Sequence, residues 1–120
     1  MRVAVGLDFA GHFSSHDKTA AKLWKSSIAT HDLIWRLPLY QPYFKSLKSS
    51  FADFANSGSR YGGGITAALF LQQFIEKETN WSHFDFMAYQ SSSKGALRHE
   101  GGNGQLVQLM SHYLRESVVS

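Results

Sequence analysis

His12 and His16 are the pair of side chains in this sequence whose spacing comes nearest to a metal site. On a helix, two imidazoles four residues apart stand one turn from each other, as in zinc proteases, where an adjacent glutamate supplies the base. This pair falls ahead of the first expected helix, no nearby Glu completes the pattern, and a zinc site needs three or more protein ligands. The other histidines (His31, His83, His99 and His112) are dispersed, so no metal-ligating residue is assigned. Serines are plentiful, but no G-x-S-x-G elbow is present, which argues against a hydrolase triad. Tyr61-Gly62-Gly63-Gly64 precedes an apolar helix, and a helix N-terminus can hold an anion. The loop lacks the Lys-Ser/Thr ending of a P-loop and the spacing of a dinucleotide fingerprint. Close packing of helix against sheet is the better reading. Asp85 sits in an apolar strand, where an ionised carboxylate needs backbone amides, Arg or His as partners. Taken singly, these residues assign no catalytic group.

The chain that must position them has 120 residues, 43% of them hydrophobic and 18% charged. That suits one domain over 1–120, long enough to bury a real core. With no cysteine, disulfides and thiolate metal sites are excluded, and a reducing, cytoplasmic setting is expected. No charged-then-apolar leader and no apolar run of about 18 residues is present, so neither a signal peptide nor a membrane partner is expected. The net charge of +3 comes from scattered Lys and Arg. It resembles a solubility charge more than a nucleic-acid footprint. The pI of 9.3 keeps nucleic-acid binding only as a third, weaker reading.

Val3 to Leu7 reads as a short strand closed by Gly6. A strand pattern starting at the second residue suggests a piece of something longer. His12 to Ser15 leads into a helix over about Asp17 to Thr30, with Ser14 or Ser15 as N-cap and Asp17 in the first turn. Its apolar face carries Ala20, Ala21, Trp24 and Ile28. Leu33 to Leu39 is extended, because Pro38 keeps its predecessor out of the helical region. A short helix is expected after Pro42. Phe51 to Asn56 is strand or helix. Ile65 to Ile75 is apolar almost all round, which predicts a central helix buried on most faces, entered through the glycine turn. Trp81 to Tyr89 reads as a strand, with Phe84, Phe86 and Ala88 on one side and His83, Asp85, Met87 and Tyr89 on the other. Ser91 to Gly104 is a loop. A last helix over about Gln105 to Glu116 buries Leu106, Leu109, Met110 and Tyr113. Helices alternating with strands predict an α/β fold with a mostly parallel sheet.

Together these segments resemble the C-terminal part of the leucyl (cytosol) aminopeptidase family. Trp35-Arg-Leu-Pro-Leu39 is similar to the family's W-R-L-P-L. Phe51-Ala-Asp-Phe-Ala-Asn-Ser-Gly58 is similar to its F-A-D-x-x-N-x-G. Gly64-Ile-Thr-Ala-Ala-Leu-Phe-Leu71 resembles its G-A-I-T-A-A-x-F-L helix, and Trp81-Ser-His-Phe-Asp-Phe86 its W-x-H-x-D-I strand. Order and spacing agree over nearly the whole chain. Met87-Ala-Tyr-Gln90 with Glu100-Gly-Gly102 looks closest to a bacterial subgroup reading M-A-W-N, then G-R-P-E-G-G-E-A.

The resemblance implies a partial three-layer α/β/α sandwich with a mostly parallel sheet. It also implies metallo-exopeptidases that remove N-terminal residues from peptides, using two divalent ions such as zinc or manganese. The family's ligands, its N-T-D-A-E-G-R motif and its lysine-bearing metal segment have no counterpart in these residues. No catalytic residue, no metal ligand and no cofactor is therefore assigned to this chain. It is expected to be inactive alone, meeting a peptide substrate only together with the missing upstream part. The family's substrate pocket draws on places that fall here on Ser57, Met87 and Gln90. Ser57 departs from the family's usual Ile or Val, and Met87 from the alanine of its main branch. Leu97-Arg-His99 replaces the subgroup's G-R-P, and Gly101-Gly-Asn-Gly104 alters its G-G-E-A. The resemblance further implies a homo-oligomer or family-type hexamer. The alternative to a fragment is a degenerate, non-catalytic assembly module of such an oligomer.

Overall fold

The computed structural model describes residues 1–49, 61–90 and 101–119. The strand expected at Val3 to Leu7 is instead one helical turn, α1 (Arg2–Val5), closed by Gly6 at φ 77°. The Met1 carbonyl accepts from the Ala4 and Val5 amides. A few alternating small apolar residues suit either conformation, and with Val3 99% exposed no sheet neighbour favours the extended one. The first strand comes later, as β1 (Ala10–Ser14), and every residue of it is buried. A strand covered on both faces shows no hydrophobic alternation, which is why His12 to Ser14 reads as a helix lead-in from sequence.

β1 is the middle of a three-stranded sheet of order β2-β1-β3. Along β2 (Ile34–Arg36) it pairs in parallel, with Ala10 opposite Ile34 and His12 opposite Arg36. Along β3 (Ser82–Asp85) it pairs antiparallel, with His12 opposite Phe84 and Phe13 opposite His83. The strand expected to reach Tyr89 thus stops at Asp85. Ala88 takes φ 50°, and a separate hairpin forms from β4 (Tyr89–Gln90) and β5 (Gly101–Gly102).

One face of β1 carries Ala10, His12 and Ser14, and α2 (Asp17–Thr30) and α5 (Val107–Val119) cover it. The core there is Ala10, Leu23, Ile34, Leu106 and Leu109, with Phe84, Met110 and Tyr113 packed on it. Each large side chain so buried contributes about 1.5–3 kcal/mol. Helix α2 has the predicted span, but its N-cap is His16, without a side-chain cap bond, in place of Ser14 or Ser15. Its buried face is also rotated: Ala20, Leu23, Ser26 and Ser27 point inward, while Trp24 and Ile28 are 40% and 51% exposed. The reason is polar. Ser27 Oγ accepts the Ile34 amide at 3.0 Å, and Ser26 Oγ meets His112 Nδ1 at 2.9 Å. Two satisfied serines outcompete larger apolar neighbours for the interface.

The opposite face of β1 presents Gly11 and Phe13. A Cβ on Gly11 would collide with the Met1 side chain, and one on Gly64 would lie 3.8 Å from Phe13 and clash with Met1. This close approach seats α4 (Gly63–Gln72) against the sheet, as the glycine turn predicts, with Gly62 at φ 68° as its N-cap. α3 (Pro42–Ser49) starts at its proline as expected and packs beside α4. Helices on both faces give the expected α/β layering. The sequence reading overstates how fully α4 is enclosed. Only Ala68 and Leu69 are buried, and Leu71 and Phe74 are 41% and 74% exposed. Periodicity reports apolar faces, whereas burial needs a neighbour for each, and the described residues supply only α3, Met1 and the sheet.

Candidate functional site

The three sequence-assigned pocket positions are placed unequally. Ser57 lies outside the described residues. Met87 follows β3, 45% exposed. It borders a cleft of about 380 Å³ with Met1, Leu7, Phe9, Asp85 and Phe86. Gln90 is the second residue of β4, paired through its backbone with Gly101.

A chemically sharper environment surrounds His12. Its ring is fully buried and stacks on Phe84 at 4.8 Å, with planes 12° apart. Neither Nδ1 nor Nε2 has a hydrogen-bond partner among the described residues. Burial, helped by the nearby Arg36 guanidinium, lowers its pKa from 6.5 to about 4. It is therefore a neutral imidazole with two unused polar atoms, an arrangement that costs stability unless something compensates. It lies beneath a cleft of about 440 Å³ lined by Asp17, Ala20, Ala21, Trp24, Ile34, Trp35 and Arg36. Trp24 and Trp35 meet edge to face at 5.7 Å. At the rim, Arg36 Nη2 pairs with Asp17 at 2.8 Å and donates to the Ser14 carbonyl at 3.2 Å.

The His12/His16 pair does not come together. His12 faces inward from β1, while His16 is exposed at the start of α2 and shares a 2.8 Å bond with Ser15 Oγ. Ser15 is itself a tie, since it donates to the Thr79 and Trp81 carbonyls and accepts the Trp81 amide. His83 lies between Phe13 and Trp81. Burial lowers its pKa, and the Asp85 carboxylate partly restores it. Asp85 thus has a histidine beside it, one of the partners expected from sequence. Among the described residues no three His, Cys, Asp or Glu side chains gather closely enough to hold a metal ion.

Sequence reasoning missed Asp32. Its carboxylate accepts the Leu106 amide at 3.0 Å and the Leu109 amide at 3.2 Å, capping α5 from 74 residues away in the chain. A cap supplied from a distant loop leaves no local signature. The sequence reading places Arg36 only within an extended segment, and its 2.8 Å pairing with Asp17 joins residues 19 apart in the chain.

Residues 1–111 match the catalytic domain of the cytosol aminopeptidase family. A relative named "Probable cytosol aminopeptidase", from Rhodopseudomonas palustris (strain BisB5), is 41% identical over 115 residues, covering 95% of this chain and 23% of that protein. The crystal structure of cytosol aminopeptidase from Coxiella burnetii superposes with a TM-score of 0.82 at 40% identity, over 96% of this chain and 25% of that one. The bottromycin maturation enzyme BotP gives a TM-score of 0.86 at 30% identity, over 99% and 27%. An α/β layer built on a buried β1, with the glycine-entered α4 against it, is thus shared with proteins of one class. The chain belongs to the cytosol aminopeptidase family, and it spans about a quarter of the length of the relatives it matches.

Proposed function

We propose that residues 1–120 form a single piece, the C-terminal portion, of a cytosol-aminopeptidase-type catalytic domain acting in the cytoplasm on the N-termini of peptides. In this reading it contributes the core helix α4, part of the sheet and one wall of the substrate pocket through Ser57, Met87 and Gln90. The observation that carries the reading is a pairing: the family's catalytic-domain profile covers residues 1–111, while the chain spans only about a quarter of the relatives it matches. The described residues do not fit the two divalent ions that the resemblance implies, so no step of peptide hydrolysis is placed on them. The chain alone is inactive in this reading, and the complete site forms only with the family's upstream segments. The test is metal analysis and leucine p-nitroanilide turnover of the purified chain with zinc or manganese added. We expect no stoichiometric metal and no release of nitroaniline. About two ions per chain together with turnover would overturn it.

A second reading, a non-catalytic module for oligomer assembly, rests on the outer edges of β2 and β3, which pair with no strand among the described residues. Unpaired edges invite strand addition. Light scattering coupled to size exclusion separates the two, since a monomer at all concentrations counts against assembly.

A further inference from the structure

The geometry points to the outer face of α4 as the docking surface for the upstream portion of a cytosol-aminopeptidase-type catalytic domain. This rests on the aminopeptidase reading and names the surface that receives its missing part. α4 is apolar on two opposite sides. Helical spacing turns Ala68 and Leu69 toward the sheet, where both are fully buried. Ala67 and Leu71 stand one turn apart on the other side, and both are exposed. The stripe continues into exposed Phe74, whose amide donates to the Leu71 carbonyl at 3.1 Å in the turn that prolongs the helix. Phe70 borders it, its ring edge to face with that of Phe74 at 5.4 Å. From Tyr61 to Ile75 the sequence has no charged residue. A helix side meant for water carries charged or polar residues. An uncharged, partly aromatic stripe opposite the sheet-facing one marks a helix with a layer to receive on its outer side.

Size and the sheet identify what fills it. The stripe from Ala67 to Phe74 is about 10 Å long on a helix about 10 Å across. A strip that small covers only a fraction of the roughly 800 Å² per partner in a stable protein–protein interface. Two copies of this chain stacked through α4 would gain little else, since that arrangement leaves the sheet edges open. A larger partner reaches further. The outer edges of β2 and β3 pair with no strand among the described residues, and strand addition there extends the interface. The chain spans about a quarter of the relatives it matches, and the match to their catalytic domain covers residues 1–111. A partner offering an apolar layer to α4 and further strands to the sheet is therefore the remainder of that domain.

The experiment uses Coxiella burnetii cytosol aminopeptidase, 40% identical to this chain, shortened by the quarter that the chain matches. Preparations that rebind their own missing quarter serve as the partner. Binding of this chain is read by calorimetric titration and by size exclusion with light scattering. We expect a complex of one copy of each. Ala67→Glu and Phe74→Ser should each weaken it about tenfold or more, the first by burying a charge and the second by losing apolar contact. Val118→Ser, at an exposed site on α5, should leave it unchanged. The urea midpoint of the free chain should hold in all three, because these side chains face water until the partner arrives. No complex, or full affinity in both α4 variants, overturns the assignment. So does a marked fall of the urea midpoint in both, which would mean the stripe is already covered within the chain. Self-association of the free chain that Phe74→Ser abolishes makes a second copy the occupant and overturns it too. Binding is read without turnover. A complex that leaves leucine p-nitroanilide uncut upholds the docking face and counts against the catalytic reading alone.

Discussion

Replacing His12 by leucine should make this protein more stable, and by an amount that depends on pH in a defined way. The imidazole is fully buried with no hydrogen-bond partner among the described residues, and its pKa falls from 6.5 to about 4 in the folded chain. Above pH 6.5 both folded and unfolded chains carry a neutral ring, and this group adds no pH dependence. Between pH 6.5 and about 4 the unfolded chain takes up a proton that the folded chain refuses. Stability then drops by about 1.4 kcal/mol per pH unit. Below about 4 the folded ring is charged too, and the loss levels off at about 3 kcal/mol. His12→Leu removes that entire dependence. At neutral pH it also removes two polar atoms that are unsatisfied among the described residues while keeping apolar contact with Phe84, a gain of about 1–3 kcal/mol. The assay is urea unfolding of both proteins by tryptophan fluorescence at half-unit steps from pH 4 to 7.5. The quantity read is the difference in stability at each pH, because carboxylates and the other histidines cancel in it. A difference that stays constant from pH 7.5 down to pH 4 would refute the reasoning, as would a leucine variant less stable than its parent at pH 7.

Other outcomes follow from single contacts. Asp32→Ala strands the Leu106 and Leu109 amides at the start of α5 and should cost about 1–2 kcal/mol in thermal unfolding, with Asp32→Asn recovering part of it. Gly62→Ala puts a Cβ 3.1 Å from the Tyr43 ring at φ 68°. It should destabilise by about 1 kcal/mol or more in chemical denaturation, whereas Gly→Ala at ordinary φ is neutral or stabilising. Leu109→Ala opens a hole in the α2–α5 core, where Leu109 is 0% exposed. It should cost about 2–5 kcal/mol by the same measurement.

Local chemistry was enough to place several elements from sequence. Asp17 followed by a helical period gave α2 over its observed span, Pro42 opened α3, the glycine turn delivered α4 to the sheet, and the apolar spacing of Leu106, Leu109, Met110 and Tyr113 named what α5 buries. These signals act within a turn or two of backbone, so they survive without knowledge of the partner. The aminopeptidase resemblance was legible for a related reason, since W-R-L-P-L, F-A-D-x-x-N and the T-A-A helix are contiguous words.

What tertiary structure alone decided depends on residues far apart in the chain. It made β1 a buried central strand where His12 to Ser14 looked like a helix approach. It turned α2 so that Ser26 and Ser27, satisfied by His112 and the Ile34 amide, face inward in place of Trp24 and Ile28. It set Asp32 under α5 and left Leu71 and Phe74 exposed on a helix that is apolar nearly all round. It also converted His12 from half of an apparent metal pair into a lone neutral ring beneath two tryptophans. Residue type and spacing fix what a segment can bond locally. Which face is dry, and which polar atom finds a partner, is decided by what packs against it.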